Sequence, residues 1–201
     1  MFKKIYNSNA RLYYCIAYPS NVCDYSIIGN QEISKNHFNI LIGNSGTSEN
    51  NHSEAFNYLI NHRKNNFNVF CPLSYGDNNY SNNIKILGKK YFKDNFFYLD
   101  KILQTDDYNS FLSSIDIAIM LQDRQAAMGN ILRLLGLGKK VYFKSNAPHY
   151  LFLKRLGFYV YEIDKFELLK IKEVEKYSNK RLIEQHFSTK ALINQWNLIF
   201  D

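Results

Sequence analysis

The sequence predicts an α/β fold built on a doubly wound parallel sheet. Six short apolar runs follow one another from residue 38 onward, and helical patterns lie between them. The runs start about 20 to 30 residues apart, the length of a βα unit. The 201 residues fit one large α/β domain or two small ones and suffice for a core. A composition of 46% hydrophobic and 21% charged residues, with only 3 Pro and 9 Gly, excludes the disordered, collagen-like and low-complexity classes.

The predicted strands are residues 38–43 (FNILIG), 68–73 (NVFCPL), 95–99 (NFFYL), 116–121 (DIAIML), 140–144 (KVYFK) and 158–163 (FYVYEI). Between them, residues 51–63 carry Ala55, Tyr58, Leu59 and His62 at helical spacing, and residues 107–114 form a short helix behind the acidic pair Asp106 and Asp107. Residues 128–137 place Ile131, Leu132, Leu134 and Leu135 on one face, with Gly136 and Gly138 as the stop. Residues 146–156 repeat the pattern with Pro148 in the first turn. Asp164 is read as the N-cap of a charged helix over KFELLKIKEVEKYSNKRLIEQHF, and the chain ends in ALINQWNLIF. Residues 1–36 are polar, strand-capable around 11–17, and read as a lead-in segment to a single domain at 37–201.

The formal charge of +7 points to an anionic partner. Basic residues near the C-terminus alternate with acids, as in Lys172, Glu173, Val174, Glu175 and Lys176, which marks a solvated helix face; nucleic acid is not an expected partner. Cys15, Cys23 and Cys71 are too few for a disulfide framework and lack zinc-ligand spacing, so a reducing, cytoplasmic compartment is expected. The start has no apolar stretch of signal-peptide length, and the run at 115–121 is far below the roughly 20 residues that span a bilayer.

In an open parallel sheet, ligands bind beyond the carboxyl ends of the strands. Two loops at such ends stand out. Gly43, Asn44, Ser45, Gly46 and Thr47 follow the first strand and precede a helix. Glycines there let backbone N–H groups approach an anion beside a helix N-terminus, although a tight βα turn would carry the same residues. The second loop runs from Gln122 to Asn130 and holds Arg124 and Gly129 before another helix start. Guanidinium and backbone N–H groups both match phosphate oxygens; the plain alternative is a surface arginine and a turn glycine. Neither G-x-G-x-x-G nor a P-loop is present, and Gly136, Leu137, Gly138 and Lys139 precede a strand and read as a helix C-cap. No D-x-D motif occurs, and His52, Ser53 and Glu54 lack the P-C-x-x-C that would make them a deaminase motif, so no metal is expected. His37, His62, His149 and His186 read as surface or core residues, and Tyr75 with Gly76 either lines the crevice or covers the sheet edge.

With these loops in view, the sequence resembles glycosyltransferase family 56, enzymes that transfer 4-acetamido-4,6-dideoxygalactose (Fuc4NAc) from its dTDP donor to lipid II of enterobacterial common antigen. The resemblance rests on ILIGNSGTSENNHSEAFNYL, CPLSYG, DDYNSFLSSIDIAIMLQDRQAAMGN and HFSTKALINQW, which occur in the family's order. It implies a GT-B architecture in which this chain is the C-terminal, Rossmann-like, nucleotide-sugar-binding half. The acceptor-binding domain is then expected outside these residues: removed, encoded separately or never present.

The resemblance also implies site residues. Arg124 would be catalytic, offsetting charge on the departing nucleotide. Gly43, Asn44, Ser45, Gly46, His52, Glu54, Tyr75, Gln125, Met128, Gly129 and Asn130 would bind the donor, without metal or other cofactor. Implied partners are a nucleotide-diphospho-sugar, a lipid-linked glycan acceptor and the anionic inner face of the cytoplasmic membrane, where the protein would be peripheral. Where many retaining GT-B enzymes place an E-x7-E pair, this chain has Gln125 and Arg133, and Ala126 and Ala127 alter the family's R-Q-Q. Two other readings are a non-catalytic nucleotide-sugar-binding module and one half of a split enzyme; an NAD-dependent epimerase is disfavoured by the missing G-x-G-x-x-G.

Overall fold

The computed structural model describes residues 9, 13, 15, 16, 18–23, 37–62 and 66–200. Six parallel strands form one sheet in the order β3-β2-β1-β4-β5-β6: β1 Phe38–Ile42, β2 Phe67–Pro72, β3 Phe96–Leu99, β4 Ile117–Met120, β5 Lys140–Phe143 and β6 Tyr161–Glu162. The order reverses between β1 and β4, which pair with Ile40 opposite Ile117 and Ile42 opposite Ile119. The helices are α1 His52–Ile60, α2 Asn78–Phe92, α3 Thr105–Ser114, α4 Met128–Gly136, α5 Pro148–Arg155, α6 Glu173–Phe187 and α7 Thr189–Phe200.

Both faces of the sheet are covered, which is why its central strands are nearly continuous apolar runs. Alternate residues divide between two cores. Ile40, Ile42, Ile117 and Ile119 pack with Ala55, Phe56 and Leu59 of α1 and Ile84 and Phe92 of α2. Leu41, Ala118 and Met120 pack on the other face with Leu112 of α3, Ile131 and Leu135 of α4, Leu153 of α5 and Ile183 of α6. Helices α1 and α4 therefore leave β1 and β4 toward opposite faces, opening a crevice at the point where the strand order reverses.

All six predicted strands are present. Helix α2 has no counterpart in the sequence reading, because its apolar positions are sparse within the turn-like DNNYSNN; Asp77 caps it, accepting from the Tyr80 N–H at 2.7 Å. The expected N-cap at Asp164 is corrected. Asp164 sits in a 3-10 turn, Ile163–Lys165, and its carboxylate accepts from the Tyr58 hydroxyl at 2.8 Å. The chain then stays non-helical while Leu168 fills the core, and α6 begins only at Glu173, with Glu175 accepting from the Lys172 N–H at 3.2 Å. At the end of α4, Gly138 donates to the Leu135 carbonyl at 3.0 Å and Lys139 to that of Leu134 at 2.9 Å, a Schellman C-cap and not a phosphate loop.

The strand tendency at residues 11–17 falls largely outside the described residues. The described part of the lead-in lies along α4, α6 and α7: Cys23 donates to the Phe187 carbonyl at 2.8 Å, Ile16 donates to Gln195 Oε1 at 2.7 Å, and Trp196 Nε1 donates back to the Ile16 carbonyl at 2.9 Å.

Candidate functional site

The β1–α1 loop is held by one side chain. Asn50 is 1% exposed. Its Nδ2 donates to the Ser45 carbonyl and Ser45 Oγ, both at 3.0 Å, and to Thr47 Oγ1 at 2.9 Å. Its Oδ1 accepts from the Asn44 N–H at 3.0 Å and from Gln122 Nε2 at 2.8 Å, joining this loop to the one after β4. Gly43, at φ +63°, lies so close to Asn50 that a Cβ would sit 2.7 Å from its Oδ1, so the glycine is fixed by the turn and by this contact. Gly46 donates to the Tyr75 carbonyl at 2.7 Å and accepts from the Asp77 N–H at 2.9 Å, tying in the β2–α2 loop.

Helices α1 and α4 both start from a non-glycine residue in the left-handed region, Asn51 at φ 52° and Ala127 at φ 56°, and neither has a side-chain cap. Such a conformation costs roughly 1–2 kcal/mol per residue and persists only where the surroundings hold it. At Asn51 the hold is visible: Nδ2 crosses the crevice to the Leu121 carbonyl at 2.8 Å and to Asp123 Oδ2 at 3.3 Å. Two helix N-termini without a side-chain N-cap thus flank the crevice; at α1 the His52 N–H donates to the Tyr80 hydroxyl at 3.4 Å, and the helix ends carry a partial positive charge for an anion.

Charged groups link the same loops. Arg124 pairs with Glu49 through Nε, at 2.9 Å, and through Nη2; the two side chains are 64% and 48% exposed. The Arg124 hydrogen bond holds the Glu49 carboxyl below its ordinary pKa, and Glu49 in turn raises that of Arg124. Lys144, just past β5, lies 2.9 Å from both Glu54 and Asp123, and its hydrogen bond lowers the Asp123 pKa.

Beside the crevice, a cavity of about 270 Å³ opens between the carboxyl ends of β1 to β3 and helices α3 and α4. Asn44, Tyr75, Tyr108, Asn130 and Arg133 stand in its wall, and Asn44 Nδ2 donates to the Tyr75 hydroxyl at 2.9 Å. Burial pushes the Tyr108 hydroxyl up to about 12, with Tyr75 adding to the shift and Arg133 opposing it. A larger cavity, about 470 Å³, lies between the lead-in and α5 to α7; its walls include Ile16, Phe152, Leu156 and Phe187, and it has no strand end beside it. Among the described residues, no three of His, Cys, Asp and Glu converge on a possible metal site.

A family model described as "4-alpha-L-fucosyltransferase glycosyl transferase group 56" matches residues 3–198. The chain belongs to this family. Among solved structures, it is similar to a glycosyltransferase from Rickettsia africae, with TM-score 0.61 and 13% identity over 83% of this chain and 48% of that one. It is similar to WaaG, a glycosyltransferase involved in lipopolysaccharide biosynthesis, with TM-score 0.53 and 13% identity over 98% of this chain and 53% of that one. It also matches the C-terminal domain of a glycosyl transferase group 1 family protein, LpcC, from Francisella tularensis, with TM-score 0.51 and 12% identity over 94% of each chain. The fold is thus the Rossmann-like one found in these GT-B glycosyltransferase structures, and the chain spans about half the length of the first of them.

Within this family frame, the structure gathers Gly43, Asn44, Ser45, Gly46, Tyr75 and Asn130 around the crevice and its cavity, with Arg124 and Gln125 exposed on the neighbouring loop. Other expected donor contacts are placed differently. The Met128 side chain is buried in the core, leaving only its backbone for a ligand. Gly129 is a glycine because the Ser20 carbonyl lies 2.7 Å from where its Cβ would be, so packing against the lead-in explains it. Glu54 is engaged by Lys144. His52 is fully buried, with Nδ1 3.1 Å from the Tyr80 hydroxyl and Nε2 without a partner. Asn50, Asn51 and Tyr108 lie within the stretches that carry the family resemblance but were not singled out as site residues, and Lys144 had no sequence signal beyond its place at a strand end.

Burial holds the His52 pKa down at about 4. A histidine that is neutral when folded and protonates near 6.5 when unfolded contributes stability fully present above that pH and lost as pH falls toward 4. Stability is therefore expected to drop by up to about 1.4 kcal/mol per pH unit across that window. His149, also held low by burial, adds to the slope. Urea unfolding at pH 7 and pH 4.5 should show a smaller loss for His52→Gln than for the wild type; an identical loss would remove His52 as a cause.

Proposed function

We propose that this chain is the donor-binding half of a glycosyltransferase, taking a nucleotide-diphospho-sugar with dTDP-4-acetamido-4,6-dideoxygalactose as the specific donor. One observation supports the reading: α1 and α4 follow the adjacent strands β1 and β4, where the strand order reverses, both start without a side-chain cap from the N-cap residue, and Arg124 lies on the loop before α4. The diphosphate lies between the Gly43–Gly46 turn and the start of α4, and the nucleoside extends toward the cavity beside Tyr75 and Tyr108.

In the reaction, the bond between the sugar's anomeric carbon and the diphosphate oxygen breaks while the acceptor hydroxyl oxygen bonds to that carbon. Negative charge grows on the leaving diphosphate, where helix N-termini and Arg124 stabilise it. Arg124 must exchange Glu49 for phosphate, both being charge-assisted partners at the surface. The acceptor hydroxyl's proton needs a base, which we place on an acceptor-binding domain separate from the residues described. The acceptor is a lipid-linked glycan at the cytoplasmic face of the membrane, and the charge of +7 favours peripheral attachment to an anionic surface.

In calorimetric titration with dTDP, the wild type should bind and Arg124→Ala should lose about 10- to 100-fold in affinity, the usual worth of a charged hydrogen bond. Unchanged affinity in that variant would remove Arg124 from the site; no binding by the wild type would overturn the donor reading.

A further inference from the structure

Behind the loop that carries Arg124 lies a histidine whose ring the fold leaves unpaired. His149 is the second residue of α5, directly after Pro148, and it is fully buried. Its ring meets that of Phe143, the last residue of β5, edge-on at 5.0 Å. The backbone carbonyls of Met120, at the end of β4, and of Arg124 lie beside the ring. Yet neither Nδ1 nor Nε2 reaches hydrogen-bond geometry with any described group. Two buried and unsatisfied nitrogens on one side chain are unfavourable unless another state of the site pairs them.

The charge on the ring decides how many of the two carbonyls it can serve. A neutral imidazole has one N–H and one lone pair, so it donates to a single carbonyl, whereas an imidazolium donates from both nitrogens. In the free protein burial holds the His149 pKa down, and the positive end of its own helix acts in the same direction. Charged residues on the elements around it are Asp123 and Arg124 on the loop, Lys140 and Lys144 in and just past β5, and Lys154 and Arg155 at the far end of α5. Asp123 is paired with Lys144 and Arg124 with Glu49, and no charged side chain contributes to the His149 shift. A diphosphate beside this loop adds negative charge, which favours the imidazolium.

We infer that His149 is a positioning residue for Arg124: binding of the diphosphate is coupled to uptake of a proton by the His149 ring, which then donates to the carbonyls of both Met120 and Arg124. The proton comes from the buffer and adds to the free ring nitrogen. The two hydrogen bonds fasten the loop to the end of β4 while the Arg124 side chain leaves Glu49 for phosphate. The inference rests on the nucleotide-sugar reading above and adds to it a proton and the residue that takes it.

The test is calorimetric titration of the full 201-residue chain with dTDP at about pH 6.5, in two buffers of different ionisation enthalpy, which counts the protons taken up. The wild type should take up more protons than His149→Phe or His149→Gln. Its affinity advantage over His149→Phe should grow about threefold as the pH falls by one unit from about 7.5, where a whole proton would give about tenfold. Glutamine offers amide donors that do not titrate, so His149→Gln should keep more affinity than His149→Phe while losing the extra uptake. The phosphates of dTDP and the Glu49 carboxyl titrate alike in all three proteins and cancel in the comparison. Equal proton uptake by the wild type and the folded variants overturns the role of His149, even if the variants bind more weakly, and leaves the nucleotide reading standing. Where a variant does not fold by thermal unfolding, the ring nitrogen NMR shifts of wild-type His149 decide: a ring that stays neutral on adding dTDP overturns the inference. Failure of dTDP to bind the wild type overturns the underlying reading itself.

Discussion

Asn50→Ala is expected to lower the unfolding free energy by about 2 to 4 kcal/mol and to abolish dTDP binding, because several buried polar groups lose their partner at once and each costs about 1–3 kcal/mol when left unsatisfied. The Ser45 carbonyl and the Asn44 N–H lose their bond to this amide, and Gln122 Nε2 is left with Asn44 Oδ1 at 3.2 Å. The effect exceeds that of an ordinary surface asparagine because Asn50 connects the loops after β1 and β4. Asn50→Asp keeps an acceptor for Asn44 and Gln122 but buries a carboxylate whose second oxygen faces the Ser45 carbonyl without a cation, so it should destabilise at least as much as alanine. Urea unfolding monitored by far-UV circular dichroism checks both variants; a loss below about 1 kcal/mol for alanine would mean that water satisfies these groups.

Phe56→Ala is expected to cost about 3–5 kcal/mol, the range for removing an aromatic side chain from a packed core. Phe56 is fully buried on α1 and meets the rings of Phe92, Phe96 and Tyr91 edge-on at 5.3, 5.9 and 6.3 Å. The resulting void cannot close without moving α1 against the sheet, and α1 carries the site loop at its N-terminus. The unfolding midpoint should fall with an unchanged denaturant slope, and dTDP affinity should weaken less than in Asn50→Ala. A shift smaller than about 1 kcal/mol would show that the cluster repacks.

The strands were legible because a parallel sheet covered on both faces makes each central strand a nearly continuous apolar run, as in IAIM of β4 and VYF after Lys140 in β5. Helix α2 was not, since its buried face rests on a few residues scattered among asparagines and lysines. The two candidate loops were singled out because ligand sites in such sheets lie at strand ends, a rule of topology and not of residue type. What sequence could not supply was the pairing between loops. Nothing in the spacing of Glu49 and Arg124, of Glu54, Asp123 and Lys144, or of Asn50 and Gln122 reveals that the fold joins them. For the same reason His52 could be taken for a ligand contact: its motif neighbours are at the surface, and only the packing of Tyr80 from α2 shows that its ring faces inward. Arg133 was noticed as a departure from a family pattern, but its place in the cavity wall beside Lys101 and Tyr108 required the structure.

The most direct measurement is a crystal structure of the full chain with dTDP. The diphosphate is expected at the start of α4 between the Gly43–Gly46 turn and Arg124, with Glu49 released from that arginine. The nucleoside is expected in the cavity of about 270 Å³ beside Tyr75, Tyr108 and Arg133. Density for dTDP in the larger cavity between the lead-in and α5 to α7, or a crevice that stays empty at saturating dTDP while Glu49 and Arg124 remain paired, would contradict it.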